Sequence, residues 1–358
     1  MTSSHSRSIP MGRAPRASVL ALASALVLAC GAPARAPATL AADGAAAEAP
    51  PPPPPARWLP LIGEYGPDSS SRILLERDGR LYLRTAANEL PVVEQGATLV
   101  LVRAPGDTTA LLVRREGESR VTALVVGDTV LARRQLGPES GNQLVIAPVR
   151  PIAELRREAL AASPPAESGS FRAPDLVELV RLDSTIHLEV RYATANNLFA
   201  TPFYSQARAF LQRPAAEALV RVSAALRARG YGLLVHDGYR PWYVTKMFWD
   251  ATPPEKHVFV ADPARGSRHN RGSAVDLTLY DRATGAPVEA PSTYDETSPR
   301  AYPDYPGGTT RQRWFRSLLR AAMEREGFTV YEAEWWHFDH RDWRHYPIMN
   351  VPFESLGR

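Results

Sequence analysis

Seven of the eight histidines and six of the seven tryptophans in this 358-residue chain lie beyond residue 171. The largest core side chains and the best metal-ligating and proton-moving groups therefore belong to the second half of the chain. A chain of 39.3 kDa exceeds the usual span of one domain, so the first half is expected to fold around a core of its own. A hydrophobic content of 44% supplies enough apolar surface for both, whereas 33 prolines mark stretches that do not pack.

The single cysteine, Cys30, excludes a disulfide within the chain. It closes the apolar run Ala17 to Ala29, which follows Arg7, Arg13 and Arg16. A basic start and about a dozen apolar residues match a secretory signal, too short to span a bilayer as a helix. Val27-Leu28-Ala29-Cys30 resembles the bacterial lipobox, whose cysteine is acylated and becomes the new N-terminus. Residues 1–30 are thus expected to export the protein and anchor it to a membrane, facing the periplasm or the cell exterior. A plain signal peptide with an incidental cysteine is the alternative. The formal charge of +4 falls to +1 without the three arginines, and no basic block follows, so no nucleic-acid partner is expected.

Residues 31–56 are mostly Ala and Pro, including the run Pro50 to Pro55, and read as an extended polyproline linker. Residues 57–136 carry short apolar runs broken by turn signals. Asp78-Gly79 lies between Arg72-Ile73-Leu74-Leu75 and Arg80-Leu81-Tyr82-Leu83, a hairpin signature; Thr98 to Val102, Ala110 to Val113, Val121 to Val126 and Thr129 to Ala132 add strands. This reads as a small antiparallel β accessory domain, a spacer or weak wall-binding module. Residues 137–170, rich in Pro, Ser, Glu and Ala, read as a linker, apart from a short apolar stretch Leu144 to Ile152 that could close the sheet or cap the next domain. In residues 171–358 one helix follows Pro214, with Ala215, Leu219, Val222 and Leu226 at helical spacing and Gly230 as its stop. A second spans about Arg311 to Glu326. Strands and helices without βαβ alternation give an α+β class.

Three segments carry chemistry. In Gly266 to Leu279 a glycine-flanked loop with His269 leads into an alternating strand. Val275, Leu277 and Leu279 share its apolar face, so Asp276 points to the other. Alone, that His and Asp are weak evidence for a metal site, since most such pairs are surface polar groups. Glu334 and His337 are embedded in bulky aromatics, and burying them without partners costs several kcal/mol. Their spacing of three places them on opposite faces of a regular strand, so a bulge or turn is required if both serve one site. Arg240 ends the apolar segment Leu233 to Val235, His236, Asp237 and is placed either to bind an anionic oxygen or to pair with Asp237. His236, His257, His340 and His345 read as packing or surface residues, and Asp339 as a group that orients a ligand.

Together, Asp-Gly-Tyr-Arg-Pro at 237–241, Ser-x-His-x-x-Gly-x-Ala-x-Asp at 267–276 and Glu-Trp-Trp-His-Phe at 334–338 resemble the VanX-type D-alanyl-D-alanine dipeptidases. These are zinc enzymes related to the D-Ala-D-Ala carboxypeptidases and hedgehog-type domains. Tyr192 to Phe199 is similar to an early motif of the family. The resemblance implies a zinc peptidase domain with a central antiparallel sheet and flanking helices. It implies one Zn2+ held by His269, Asp276 and His337, Glu334 as base and Arg240 facing the reacting carbonyl, with Ser267 and Tyr192 contacting substrate. The implied partner is D-Ala-D-Ala or a related short cell-wall peptide. Rival readings are a D,D- or L,D-carboxypeptidase on longer peptides and an inactive wall-binding module.

Overall fold

The computed structural model describes residues 49–117, 120–137 and 145–357; Cys30 and the signal segment lie outside them. Among the described residues no helix is long and apolar enough to cross a membrane. The first eight strands run in order, each antiparallel to the next: β1 (Gly63–Tyr65), β2 (Arg72–Arg77), β3 (Arg80–Arg84), β4 (Glu89–Gln95), β5 (Thr98–Ala104), β6 (Asp107–Glu116), β7 (Arg120–Val126) and β8 (Thr129–Ala132). Tyr65 bridges Arg133, and Arg134 N donates to the Glu64 carbonyl at 2.8 Å. The ends of the sheet therefore meet and close it into a barrel, which removes its free edges. Asp78 and Gly79 turn the β2–β3 hairpin with φ of 48° and 75°, as a two-residue primed turn requires. Leu74, Leu81, Leu83, Leu101, Leu111 and Leu124 fill the interior, and Trp58 packs among them.

The second half is built on a five-stranded sheet in the order β10 (His187–Leu188), β12 (Tyr231–Asp237), β13 (Ala274–Asp281), β15 (Glu334–His340), β14 (Phe328–Tyr331). It is not wholly antiparallel. β10 runs parallel to β12, because the chain between them crosses over through α3 (Arg213–Arg227) before pairing. A two-stranded ribbon, β9 (Leu176–Glu178) with β11 (Phe210–Gln212), lies outside it. Helix α3 buries Ala215, Leu219, Val222 and Leu226, and Gly230 follows its end at φ 85°. Helix α5 (Thr310–Arg325) opens on a capping box between Thr309 and Gln312 and packs Phe315, Leu318, Leu319 and Met323 inward. Helix α4 (Trp242–Ala251) starts directly after Pro241 and buries Val244, Met247 and Phe248.

Residues 145–170, expected as linker, are part of this second body. Ile146 is fully buried and its N–H donates to the Leu198 carbonyl at 2.8 Å. Helix α1 (Ile152–Ala161) buries Leu155 and Ala159 and packs on α4. Ala, Glu and Arg are good helix formers as well as common linker residues, and the spacing of Ile152, Leu155 and Ala159 is the feature that separates the two cases. The proline run is likewise tied down at one point, where Arg311 donates to the Pro51 carbonyl at 2.8 Å.

Gly232 in β12 faces Tyr280 of β13, whose ring lies across it and reaches the Thr185 carbonyl at 2.8 Å. A Cβ at Gly232 would stand 2.2 Å from that ring, under any allowed contact. Gly232→Ala is expected to destabilise the protein by about 1–3 kcal/mol through overpacking, read as a lower midpoint in thermal unfolding.

Candidate active site

β13 and β15 place Asp276 directly opposite His337, so the two side chains share one face of the sheet. The apolar residues Val275, Leu277 and Leu279 take the other face and enter the core. The pairing of β14 with β15 shifts register between Val330 and Tyr331, from Phe338 to Glu334. That irregularity is the one the Glu334/His337 spacing demanded, and both residues line one cavity. His269 arrives from a short 3-10 turn, His269–Arg271, closed by Gly272 at φ 67°. There a Cβ would meet the Leu176 side chain at 2.6 Å, so only glycine turns the chain from His269 into β13.

Nε2 of His269 lies 3.1 Å from Nδ1 of His337 and 3.4 Å from Oδ1 of Asp276, and His337 Nδ1 lies 2.9 Å from the same oxygen. The far side of each group is committed elsewhere. His269 Nδ1 donates to the Gly238 carbonyl at 2.7 Å, and His337 Nε2 donates to Asp339 Oδ1 at 3.1 Å. Those partners occupy the outward nitrogens, so whenever the rings are neutral their inward nitrogens carry the lone pairs. Asp276 Oδ2 accepts from the Tyr294 hydroxyl at 3.1 Å. Three lone pairs thus converge in a buried place, and only a proton or a cation satisfies them together. All three ligand atoms lie within 4.8 Å of one another, so the donor set fits a divalent cation with a further position open.

Electrostatics points the same way. Burial alone pushes the His337 imidazole down, but the Asp276 carboxylate and the hydrogen bonds to Asp276 and Asp339 outweigh it, to about 10. Burial works to raise Asp276, yet His269 and His337 hold its carboxyl well below the usual range. Glu334 is pushed up by burial and by Asp276, against the opposing pull of His337, His269 and Arg240.

Arg240 follows β12 and is buried in the same cavity, its guanidinium 4.8 Å from the Phe248 ring. The ion-pair reading of Arg240 is the one the structure shows: it pairs with Asp237 Oδ2 through Nη2 at 2.7 Å and Nε at 3.1 Å, and it also lines the cavity. Asp237 is itself fixed by the Tyr204 hydroxyl at 2.7 Å and the Gly238 N–H at 2.8 Å. Asp237 holds the Arg240 guanidinium charged although burial opposes this. Ser267 lines the cavity, its Oγ accepting from the His269 N–H at 3.2 Å; Tyr192 lines it beside Phe248. The cavity measures about 340 Å³, the small end of ligand sites.

The other histidines stay outside the cluster. His236 stacks on Tyr294, His257 on Trp249, His340 against Phe328, and His345 is exposed. Asp339 does orient His337. Tyr294 and Asp295, which also line the cavity, lie on the loop between β13 and α5, whose sequence suggested a pocket wall without singling out either residue. Asp295 has φ 60°, and its Oδ2 is buried without a protein partner. Burial and the charges of Asp276 and Glu334 push its carboxyl well up, while Tyr192 and the charge of Arg240 pull it back. In the sequence it is one acidic residue in a loop of Pro, Ser and Thr. Tyr294-Asp295 flanked by turn residues was the only available cue.

A mixed sheet carrying a buried His-Asp-His cluster, a glutamate and an arginine in one cavity defines a metallopeptidase-like centre. Residues 172–353 match the family model of the M15 peptidases described as D-Ala-D-Ala dipeptidase. The chain is 33% identical over 182 residues to a D-alanyl-D-alanine dipeptidase of Escherichia coli (strain K12), covering 51% of this chain and 93% of that protein. That coverage leaves no length in the relative for an eight-stranded barrel. Over 182 residues it is 33% identical to one of Enterococcus faecium, covering 45% of this chain and 90% of that protein. It is 29% identical over 182 residues to one of Streptomyces coelicolor, covering 46% and 90%. The chain belongs to the D-Ala-D-Ala dipeptidase family of M15 peptidases.

Because His337 in the metal-free protein is held protonated up to about pH 10, a cation must displace that proton. Near neutral pH each bound ion is expected to release about one proton, and apparent affinity should climb with pH until about 10. Calorimetric titration in buffers of different ionisation enthalpy reads the release directly; affinity independent of pH would contradict the assignment.

Proposed function

We propose that the protein hydrolyses D-alanyl-D-alanine to two D-alanines, with one zinc ion held by His269, Asp276 and His337. The observation that carries this reading is the company the His-Asp-His cluster keeps: Arg240, and the buried carboxylate of Asp295 with an unpartnered oxygen, in one small cavity. A substrate whose free ammonium group ends beside the reacting carbonyl satisfies that oxygen. An acylated amine does not, which favours a dipeptidase over a carboxypeptidase acting on longer peptides.

Zinc, when bound, supplies Lewis-acid chemistry, lowering the pKa of a water towards about 7 and polarising a carbonyl. The residues supply the rest. Asp295, which lines the cavity with Tyr192, receives the substrate ammonium, and Ser267 offers its hydroxyl proton to the substrate. Glu334, made more basic by its surroundings, takes a proton from the attacking water as the C–O bond forms. It returns that proton to the amine nitrogen as the C–N bond breaks. Arg240, fixed by Asp237, stabilises the negative oxygen that develops on the carbonyl. Export and a lipid anchor at Cys30 suit a role in recovering D-alanine from cell-wall turnover; recovery of the protein mainly from cytosol would contradict that location.

The reaction is tested by release of free D-alanine from D-Ala-D-Ala, with chelation and zinc restoration, against the N-acetylated dipeptide as comparison. Zinc-restorable turnover of the free dipeptide alone is expected. Glu334→Ala is expected to keep its zinc and lose about 10²–10⁴-fold in kcat, whereas His269→Ala should lose the metal. A fully active Glu334→Ala protein overturns the mechanism.

A further inference from the structure

The barrel touches the catalytic body at the loop between β13 and α5, the loop that carries Tyr294 and Asp295. One attachment comes from the β2–β3 hairpin. Glu76 is only 3% exposed, and its carboxylate accepts from Thr310 N at 2.8 Å, at the positive end of α5, and from Gly79 N at 2.7 Å. Asp78 N donates to Thr310 Oγ at 2.8 Å, and Glu76 N to the Gly308 carbonyl at 3.2 Å. Arg313 closes the joint, donating to the Glu76 carbonyl at 2.7 Å and to the carbonyls of Gly307 and Gly308 at 3.0 Å each.

The second attachment is where the chain leaves the barrel. Arg300 donates to the Leu136 carbonyl at 3.2 Å while gripping Glu296 through Nε at 2.7 Å and Nη2 at 2.9 Å. Gly137, at φ 55°, sits so close that a Cβ would stand 2.5 Å from Glu296 Oε2 and 2.7 Å from Arg300 Nη2. Glu296 is buried, also accepts from Thr293 N at 3.3 Å, and immediately follows Asp295. The left-handed backbone of Asp295 is unfavourable for a residue with a Cβ and persists only where neighbours over-determine it. Here Glu296, the next residue, is tied through Arg300 to the Leu136 carbonyl, where the chain leaves the barrel.

We propose that the barrel is a brace for this loop: through Glu296–Arg300 and the Glu76 cap on α5 it holds the Asp295 carboxylate where it receives the substrate's free amine. Glu76 and Gly137 are then positioning residues for recognition of the dipeptide's amino end, remote from the bond that is cut. This rests on the reading of Asp295 given above.

The test uses the full zinc-loaded chain and two substitutions outside the cavity, Glu76→Ala and Gly137→Ala, with Asp295→Asn as reference. Each brace variant is expected to raise KM for D-Ala-D-Ala roughly tenfold, with kcat within about twofold and zinc content unchanged, because misplacement of a binding group far from the chemistry weakens its contact. Preference for the free over the N-acetylated dipeptide should fall in parallel. In the Asp295→Asn background the brace substitutions should add little, since both act through one group. Unchanged KM in folded variants, kcat falling together with zinc content, or full additivity with Asp295→Asn overturns the brace. If Glu76→Ala does not fold, Gly137→Ala decides by the same readings. If Asp295→Asn alone leaves KM and amine preference unchanged, the amine reading fails and the brace falls with it; if Asp295→Asn raises KM and the brace variants do not, only the brace fails.

Discussion

The hydrogen bond from His269 Nδ1 to the Gly238 carbonyl decides which edge of that ring meets Asp276 and His337, and a short ribbon outside the main sheet makes that bond available. Tyr239 N donates to the Phe210 carbonyl of β11 at 2.7 Å, holding the Gly238 loop; Gln212 N of the same strand donates to the Gly272 carbonyl at 2.7 Å, holding the turn that carries His269. The approach is close. A Cβ at 238 would stand 2.9 Å from the Phe210 carbonyl, which leaves glycine as the residue that lets strand and loop meet. Arg240 N on the Gly238 side and the His269 carbonyl on the other complete the joint at 3.1 Å, and Asn270 Nδ2 returns a bond to the Arg240 carbonyl at 2.8 Å. His269 and Arg240 are thus set by one network of backbone bonds, and flexing either requires breaking the other.

Within that frame Asp276, Asp295 and Glu334 line the cavity with Arg240 and Arg268, and Asp237 stands behind Arg240. In water-poor surroundings such carboxylates do not all ionise for free, and their partners separate their tasks. Asp237 is spent on Arg240, and Asp276 on two imidazoles. Glu334 and Asp295, with fewer compensating contacts, are the two whose acidity is weakened. The same imbalance is what suits one to the proposed carriage of a proton and the other to the proposed pairing with an incoming positive group.

The grouping of the site's residues was legible in sequence because its parts are short and contiguous. Alternation in β13 is enough to set Asp276 against Val275, Leu277 and Leu279, and the three-residue spacing of Glu334 and His337 demands the register shift that β14 and β15 make. The barrel hairpin at Asp78-Gly79 and the helices α3 and α5 were equally local. What escaped depends on distant contacts. The parallel pairing of β10 follows from a crossover that no local pattern encodes, and α1 was hidden by a composition shared with linkers. Asp295 carries no motif: its importance arises only when the loop is folded against Tyr192 and Glu296.

The Asp237–Arg240 pair shows why rival readings of one residue need not exclude each other. In sequence, an arginine three residues after an aspartate reads as an ion pair or as an anion-binding group. In the fold the ion pair is what makes the second role possible. An unpaired guanidinium in this buried position would lose hydration with nothing in return and would adopt whichever rotamer found a partner. Asp237 holds one edge, Phe248 lies against its face, and Tyr204 holds Asp237 in turn. The cost of reorganising the arginine is therefore met during folding, before a negative oxygen forms in the cavity, which is the condition under which a fixed charge lowers a barrier most effectively.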